Sequence, residues 1–597
     1  MRRLAAIVAL VAFVGAPRGA QALSTPLAPA CVRENSCGFT ACYGSPTAAV
    51  HYFCDCSTTG TVLTVALGGQ QPTAGCVAGD DTANNGTSAS TPWRSLTKAQ
   101  TTFNNAAAGD QILFCNGGSW DLTGASSDRW GNSNATANNR VVAGSYNASW
   151  ATGTEGRPIW KLPLGTRAVN FDHGGGTIQG LTFAGIQIEG INQPATPTAS
   201  SPICGSSPCP FEGFFVYDGI NDVLICDMRI AYVSIAVENA GGNSNQDNQR
   251  IVVRNSVIEK NDGQGWLGGG TDNWILYNAF QNNGAATANL NHHIYLSSNN
   301  STGMLVMGND LYKNAHVGGG KCNGAMLVMH GLFASCTISG NQFREDDGDQ
   351  TGSCYCNGIN PGYSSMEAFQ NIVITGNVYK NCGQEGVSIS ACHNCSVDAN
   401  ICLADTSSGF ECIAATNDGT GSGGGDWDND QVKIRANTCH GSGCGIRTAN
   451  TGTNITVIDN VMDRTDSGTV SCFTESLSTG AYTAINNNAC FAPGTIQWNA
   501  TTLASWRSSS GFDANSIQGV TPGSPPGFTN ARISTTYSGA ASDFTPASGS
   551  VLIGAGTLGV SVDFLGHSYL TPPSIGAVEP FTSVTGAKGS LGVFGGF

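Results

Sequence analysis

Short apolar runs that end in asparagine or aspartate recur down the chain, and they constrain its fold more than any other feature. The runs close at Asp227, Asn255, Asn278, Asn309, Asn341, Asn377, Asn400, Asn437, Asn460 and Asn488, at steps of 28, 23, 31, 32, 36, 23, 37, 23 and 28 residues. The shortest step, 23, occurs three times and every other step is longer, as one coil length with loop insertions gives. Alternating apolar residues, such as Ile372 with Ile374 and Ile455 with Val457, put one face of each run inward at period two. Several runs end in Gly-Asn, Ala-Asn or Asp-Asn, where the chain must bend. Asparagine tolerates left-handed backbone angles, and its amide both donates and accepts hydrogen bonds. Coils stacked ~4.8 Å apart therefore let equivalent asparagines bond along the stack. Asn-Gly turns in an antiparallel sandwich would show no fixed period. The pattern predicts a parallel solenoid.

Composition agrees. Only 11% of the 597 residues are charged, against roughly 25% in ordinary soluble domains, and glycine reaches 80 residues. The net charge of -15 argues against nucleic acid, whose binders carry a basic footprint. Arg2-Arg3, the apolar stretch Leu4 to Gly15 and Ala20-Gln21-Ala22 together read as a signal peptide cleaved after Ala22. No apolar stretch is long enough for a transmembrane helix. The protein is therefore expected in the periplasm, at the cell surface or secreted. All 23 cysteines follow Ala22, which suits an oxidising compartment. Local pairs such as Cys204/Cys209, Cys354/Cys356, Cys392/Cys395 and Cys439/Cys444 read as disulfides rather than zinc ligands, since no second cysteine pair stands at finger-like distance.

The repeats resemble right-handed parallel β-helix proteins of the pectate-lyase-like superfamily. Two further stretches carry the resemblance: Gly86 to Leu96 with Ala108-Gly109-Asp110-Gln111-Ile112-Leu113-Phe114, similar to the family's opening coil and its capping helix, and Asp543-Phe544, Ser548 to Gly556, Asp563 and Ile575 to Glu579, similar to its closing segment. The expected organisation is a signal peptide over 1–22, a Cys-rich segment over 23–79, the β-helix over 80–490, a closing cap over 491–580 and a tail over 581–597. Function in a solenoid must come from outward side chains framed by loops. The long steps between 278 and 377 mark where such loops cluster.

Within that stretch lies Asn291-His292-His293-Ile294-Tyr295-Leu296-Ser297. With Ile294 and Leu296 inward, His293, Tyr295 and Ser297 are expected to face out. In Met326-Leu327-Val328-Met329-His330, placing Leu327 and Met329 inward leaves His330 outward beside that column. Lys321 precedes it. A histidine base, a tyrosine acid and a lysine that neutralises a carboxylate are what β-elimination on a uronate requires. The acidic run Glu345-Asp346-Asp347-Gly348-Asp349 offers oxygen ligands for Ca²⁺ through Asp346, Asp347 and Asp349, and the family resemblance implies calcium. The chain lacks the combined Asn-Thr-Asp, Asp-Asp, Gly-His-Gly and Arg-Ile-Lys set of polygalacturonase-type hydrolases. It also lacks the Asp-Pro-His signature of alginate epimerases near His292-His293. The expected function is a secreted, monomeric, polysaccharide-active protein, foremost a lyase on a uronate-containing glycan. The alternatives are a non-catalytic glycan-binding or surface β-helix and a glycoside hydrolase on the same face.

Overall fold

The computed structural model describes residues 48–55, 79–122, 129–148, 156–163, 165–171, 178–190, 212–217, 219–240, 248–284, 291–316, 324–346, 357–361, 367–405, 410–416, 427–449, 452–519, 526–529, 544–557 and 559–580. The expected signal peptide, most of the Cys-rich segment and the tail lie outside them. Strands from successive coils stack into three long sheets of 14, 14 and 16 strands, paired in parallel in register. One coil runs through Thr337–Ser339 in the first sheet, Gln342–Arg344 in the second and Ile359–Pro361 in the third. This is the right-handed parallel β-helix that the repeat implied, and right-handed crossovers are the rule for parallel strands.

The core is a set of stacked columns. In the first sheet Ile225, Val253, Ile275, Val306, Ile338, Ile374, Val397, Ile434, Val457 and Ile485 follow one another in register, all buried. Each rung therefore buries an Ile or Val against another β-branched side chain above and below, the arrangement these residues favour. The helix Leu96–Asn105, N-capped by Ser95, closes the first coil by burying Leu96, Ala99 and Phe103. At the far end Leu503–Ser510 buries Leu503 and Trp506. Residues 544–580 run back along the outside of the second sheet, where Phe544, Ala577 and Val578 cover Val378, Ile401 and Leu403.

At the bend between the first and second sheets the asparagines form a continuous ladder. Asn341 is typical: its Oδ1 accepts from the backbone N–H and the Nδ2 of Asn309, both at 2.9 Å. Its own N–H and Nδ2 donate to Asn377 Oδ1 at 2.9 and 3.0 Å, and Nδ2 also reaches the Val306 carbonyl at 2.9 Å. The chain of bonds runs from Asn278 through Asn309, Asn341, Asn377, Asn400, Asn437 and Asn460 to Asn488. Serines continue it at each end: the Ser256 N–H donates to Asn278 Oδ1 while its hydroxyl accepts from the Met228 N–H, and the Asn488 N–H donates to the Ser516 hydroxyl. The left-handed conformation, expected on asparagine, falls one residue earlier instead: Tyr277, Ala399, Ala436 and Asp459 take φ of 55, 53, 53 and 60°. The asparagine N–H and amide are committed along the stack axis, so the tight bend passes to the preceding residue. Asp227 and Asn255 are themselves such bend residues, with φ of 52 and 51°.

Two expected local disulfides form, Cys392–Cys395 and Cys439–Cys444. Cys54 instead bridges to Cys115 on the neighbouring strand, and Cys402–Cys412 and Cys472–Cys490 cross the coil interior. Cys354, Cys356, Cys204 and Cys209 lie outside the described residues. Sulfurs of Cys402, Cys412 and Cys439 lie close together, yet all three are in disulfides, which leaves no thiolate for a metal.

Replacing Asn377 by alanine should strand a buried N–H of Asn341 and a buried carbonyl of Ile338. At about 1–3 kcal/mol for each buried unsatisfied group, urea unfolding should register a loss of roughly 3 kcal/mol or more; a loss below about 1 kcal/mol would mean that the ladder is not a stabilising element.

Candidate functional site

The outward face of the third sheet carries a continuous column of polar and aromatic residues. Strand Ile294–Thr302 buries Ile294 and Leu296 and turns Tyr295 and Ser297 outward. The next strand, Leu327–Ala334, pairs in register so that Ser297 stands opposite His330 and Tyr295 opposite Val328. Leu327 and Met329 are buried, and His330 points out of the coil. The rings of Tyr295 and His330 lie nearly parallel, 5.9 Å between centroids and 12° between planes. On the other side the edge of His292 meets Tyr295 at 5.3 Å.

His330 is held from behind. Its Nδ1 makes a short bond to Oε1 of Glu367, whose side chain is wholly buried while the imidazole is 24% exposed. The second Glu367 oxygen accepts the Gly331 N–H at 2.5 Å. A carboxylate bonded to Nδ1 keeps the proton there, which leaves the lone pair on Nε2. Burial, then the nearby Glu367 charge, pushes the Tyr295 phenol above its ordinary range, so it stays protonated. Glu367 carried no motif in Ser364-Ser365-Met366-Glu367-Ala368-Phe369. Register would have found it: the 36-residue step from Asn341 to Asn377, added to Gly331, lands on Glu367.

His293 does not join this face. It stands at the corner before the strand, where alternation has not begun, and it is wholly buried. The Nδ2 of Asn283 donates to its Nδ1 at 3.0 Å, and its ring packs near Phe280. Burial drives its pKa down to about 3, only partly opposed by the Tyr312 backbone. His292 is also buried; its Nδ1 donates to the Ala325 carbonyl at 2.7 Å, and burial lowers its pKa to about 4. Both are neutral structural histidines. Lys321, Asp347 and Asp349 lie outside the described residues. Asp346 is engaged: Oδ2 pairs with Lys313 Nζ at 2.5 Å and Oδ1 accepts from the Tyr312 hydroxyl at 2.8 Å. A carboxylate already neutralised by an ammonium is a poor fit for a calcium ligand.

Two charged clusters flank the Tyr295–His330 pair on the same face. Beyond His330, Arg447 donates to Glu385, two strands away and roughly 10 Å at ~4.8 Å per strand, at 2.8 Å, and to Glu411, three strands away, at 2.5 Å. Burial raises the pKa of both acids despite the guanidinium. One cation clamps both carboxylates, whereas a hydrolase needs one acid protonated and the other ionised across a sugar. In the opposite direction, two rungs away, Glu238 shares a hydrogen bond with Glu212, which is paired to Arg167 at 2.5 Å. Burial, then the Glu212 charge, lifts Glu238 to about 7.

The coil, its three sheets and this column define the molecule as a right-handed parallel β-helix with a polar outer face. No family model matches the sequence, and no curated protein matches it. Among solved structures, the A-module of a mannuronan C-5 epimerase from Azotobacter vinelandii is similar over 72% of this chain and 93% of its own, at 14% identity and a TM-score of 0.43. A pectate lyase is similar over 84% of this chain and 94% of its own, at 12% identity and 0.36. An alginate lyase from a Paenibacillus species is similar over 60% and 94%, at 12% identity and 0.31. No residue role is carried over from them.

Burial of neutral His293 has a pH signature. The unfolded chain binds a proton near pH 6.5, and the folded chain does not until about 3, so stability present above pH 6.5 is lost as pH falls through this window. Between pH 7 and pH 5 this amounts to about 2 kcal/mol. Urea unfolding of the wild type should fall by about that much more than unfolding of His293→Gln, whose side chain can still accept from Asn283. Equal losses would show His293 to be solvated.

Proposed function

We propose that the protein is an exported, polysaccharide-active β-helix enzyme that cleaves a uronate-containing glycan by β-elimination on the outer face of its third sheet. The observation that supports this reading is the His330 imidazole, bonded through Nδ1 to buried Glu367 and lying flat against Tyr295. His330 Nε2 takes the proton alpha to the uronate carboxylate. The C–H electrons form the new carbon–carbon double bond, and the bond from the neighbouring carbon to the glycosidic oxygen breaks. Tyr295, held protonated by its surroundings, gives its proton to that leaving oxygen. Lys321 is the cation proposed to neutralise the substrate carboxylate as charge builds on it. Glu367 is a positioning residue: it sets the histidine tautomer and steadies the imidazolium, as a buried acid does behind other histidine bases. No step depends on calcium.

Incubation with polygalacturonate, alginate and glycosaminoglycans should yield unsaturated uronyl ends that absorb in the ultraviolet. His330→Ala and Glu367→Gln should each lower that rate roughly a hundredfold or more, with Glu367→Gln also shifting the pH profile. Sugar retention with no product of any kind would favour a non-catalytic binder. Inverted uronates without chain cleavage, seen by NMR, would mean that the same proton abstraction serves epimerisation.

A further inference from the structure

The charged clusters on either side of His330 share one composition, and it constrains which glycan can lie along the face. On one side Arg447 is bonded to both Glu385 and Glu411. On the other, Arg167 is paired to Glu212, and Glu238 shares a hydrogen bond with Glu212. Glu238 stands in the outward column of Tyr295: Phe215, Glu238, Leu267 and Tyr295 follow one another in register. With two carboxyls against one guanidinium, each cluster is neutral when one acid is protonated and negative when both are ionised; it is positive in neither state. Burial raises Glu238, Glu385 and Glu411, Glu238 to about 7, so both states of the Glu238 cluster are populated near neutral pH. A uronate carboxylate placed at either cluster would compete with two resident carboxyls for the guanidinium, a juxtaposition of like groups that disfavours binding. Sugar hydroxyls meet no such conflict, since carboxylates accept from them and guanidinium donates to them. Next to Glu238, the Phe215 ring lies parallel to exposed Tyr217, 5.6 Å between centroids and 10° between planes, a surface suited to the C–H face of an uncharged sugar.

We propose that the glycan reacting at His330 is a heteropolymer in which neutral sugars separate the uronates, with neutral sugars seated at Glu238 and at the Glu385–Arg447 pair. A pyranose unit of an extended glycan is about as long as the ~4.8 Å between strands. Glu238 lies two strands from Tyr295, and Glu385 two strands from His330 on the other side, so the clusters meet sugars about two units to each side of the reacting uronate. A homopolyuronate laid along the same face would put a carboxylate at both. The inference names the substrate class of the His330 site and rests on the reading of that site as the reacting centre.

Isothermal titration tests it, using the full chain in a His330→Ala background so that no turnover intervenes. The probes are oligosaccharides of matched length from deacylated gellan, whose glucuronates are separated by neutral sugars, and from polygalacturonate, which has no neutral sugar between its uronates. The gellan oligosaccharide should bind about tenfold tighter or more. Glu238→Gln, which removes the charge and keeps the hydrogen-bonding groups, should strengthen polygalacturonate binding about threefold or more at neutral pH and low salt, and change gellan binding by less than about twofold. Polygalacturonate binding as tightly as gellan overturns the proposal, as does an unchanged polygalacturonate affinity in Glu238→Gln, or failure of the parent to bind either oligosaccharide. Failure of the lyase reading looks different: a preference for gellan with the expected response to Glu238→Gln, but no unsaturated product from the wild type.

Discussion

A file of buried amides runs along the coil from Asn278 to Asn488, and the coils of the candidate site are registered against it. Each asparagine from Asn278 to Asn460 gives its N–H and side-chain donor to the oxygen of the next. A bend inside a stack would otherwise leave backbone groups with neither sheet nor water partners, at a cost comparable to a lost hydrogen bond for each. An asparagine amide both donates and accepts without charge, so it can be repeated coil after coil with no electrostatic penalty. Because each rung from Asn278 to Asn488 is fixed at this corner, loops of different lengths can be inserted elsewhere without disturbing register. That accounts for steps from 22 to 37 residues between ladder partners.

The polar face of the third sheet follows from the same registration. Pairing in register sets Ser297 opposite His330 and brings Tyr295 against its ring. One rung further, the long coil that ends at Asn377 delivers Glu367 behind the imidazole. Tyr295, His330 and Glu367 thus come from three successive coils, none of them near the others in sequence. The neutral, buried His292 and His293 lie at the adjoining corner and serve packing. Four other histidine-to-acid contacts among the described residues, such as His316 with Glu345 and His440 with Asp463, show that a carboxylate partner alone is not distinctive. The combination with a stacked phenol on an open face is.

The coil repeat, the inward columns and the outward placement of Tyr295 and His330 were legible in the sequence, because period-two alternation and a repeated amide are local signals. His293 was misread for a definable reason: alternation holds only within a strand, and the strand begins at Ile294. The left-handed bends were displaced by one residue because propensity favours asparagine there, whereas the ladder needs its N–H pointing along the axis. Asp346 looked like a metal ligand until Tyr312 and Lys313, both 33 or more residues upstream in the stack sense, were found on its oxygens.

What the sequence determined by itself is the winding: a periodic amide with alternating apolar residues has one low-energy arrangement, since only stacking satisfies the buried polar atoms. What the tertiary structure decided is the site. Whether Glu367 reaches His330, whether Trp427 lies on His393, and whether Arg447 clamps two acids depend on which residue each variable loop returns to the rung. No local preference encodes that return, because the contacts join residues 34 to 62 apart and arise only once those coils are stacked.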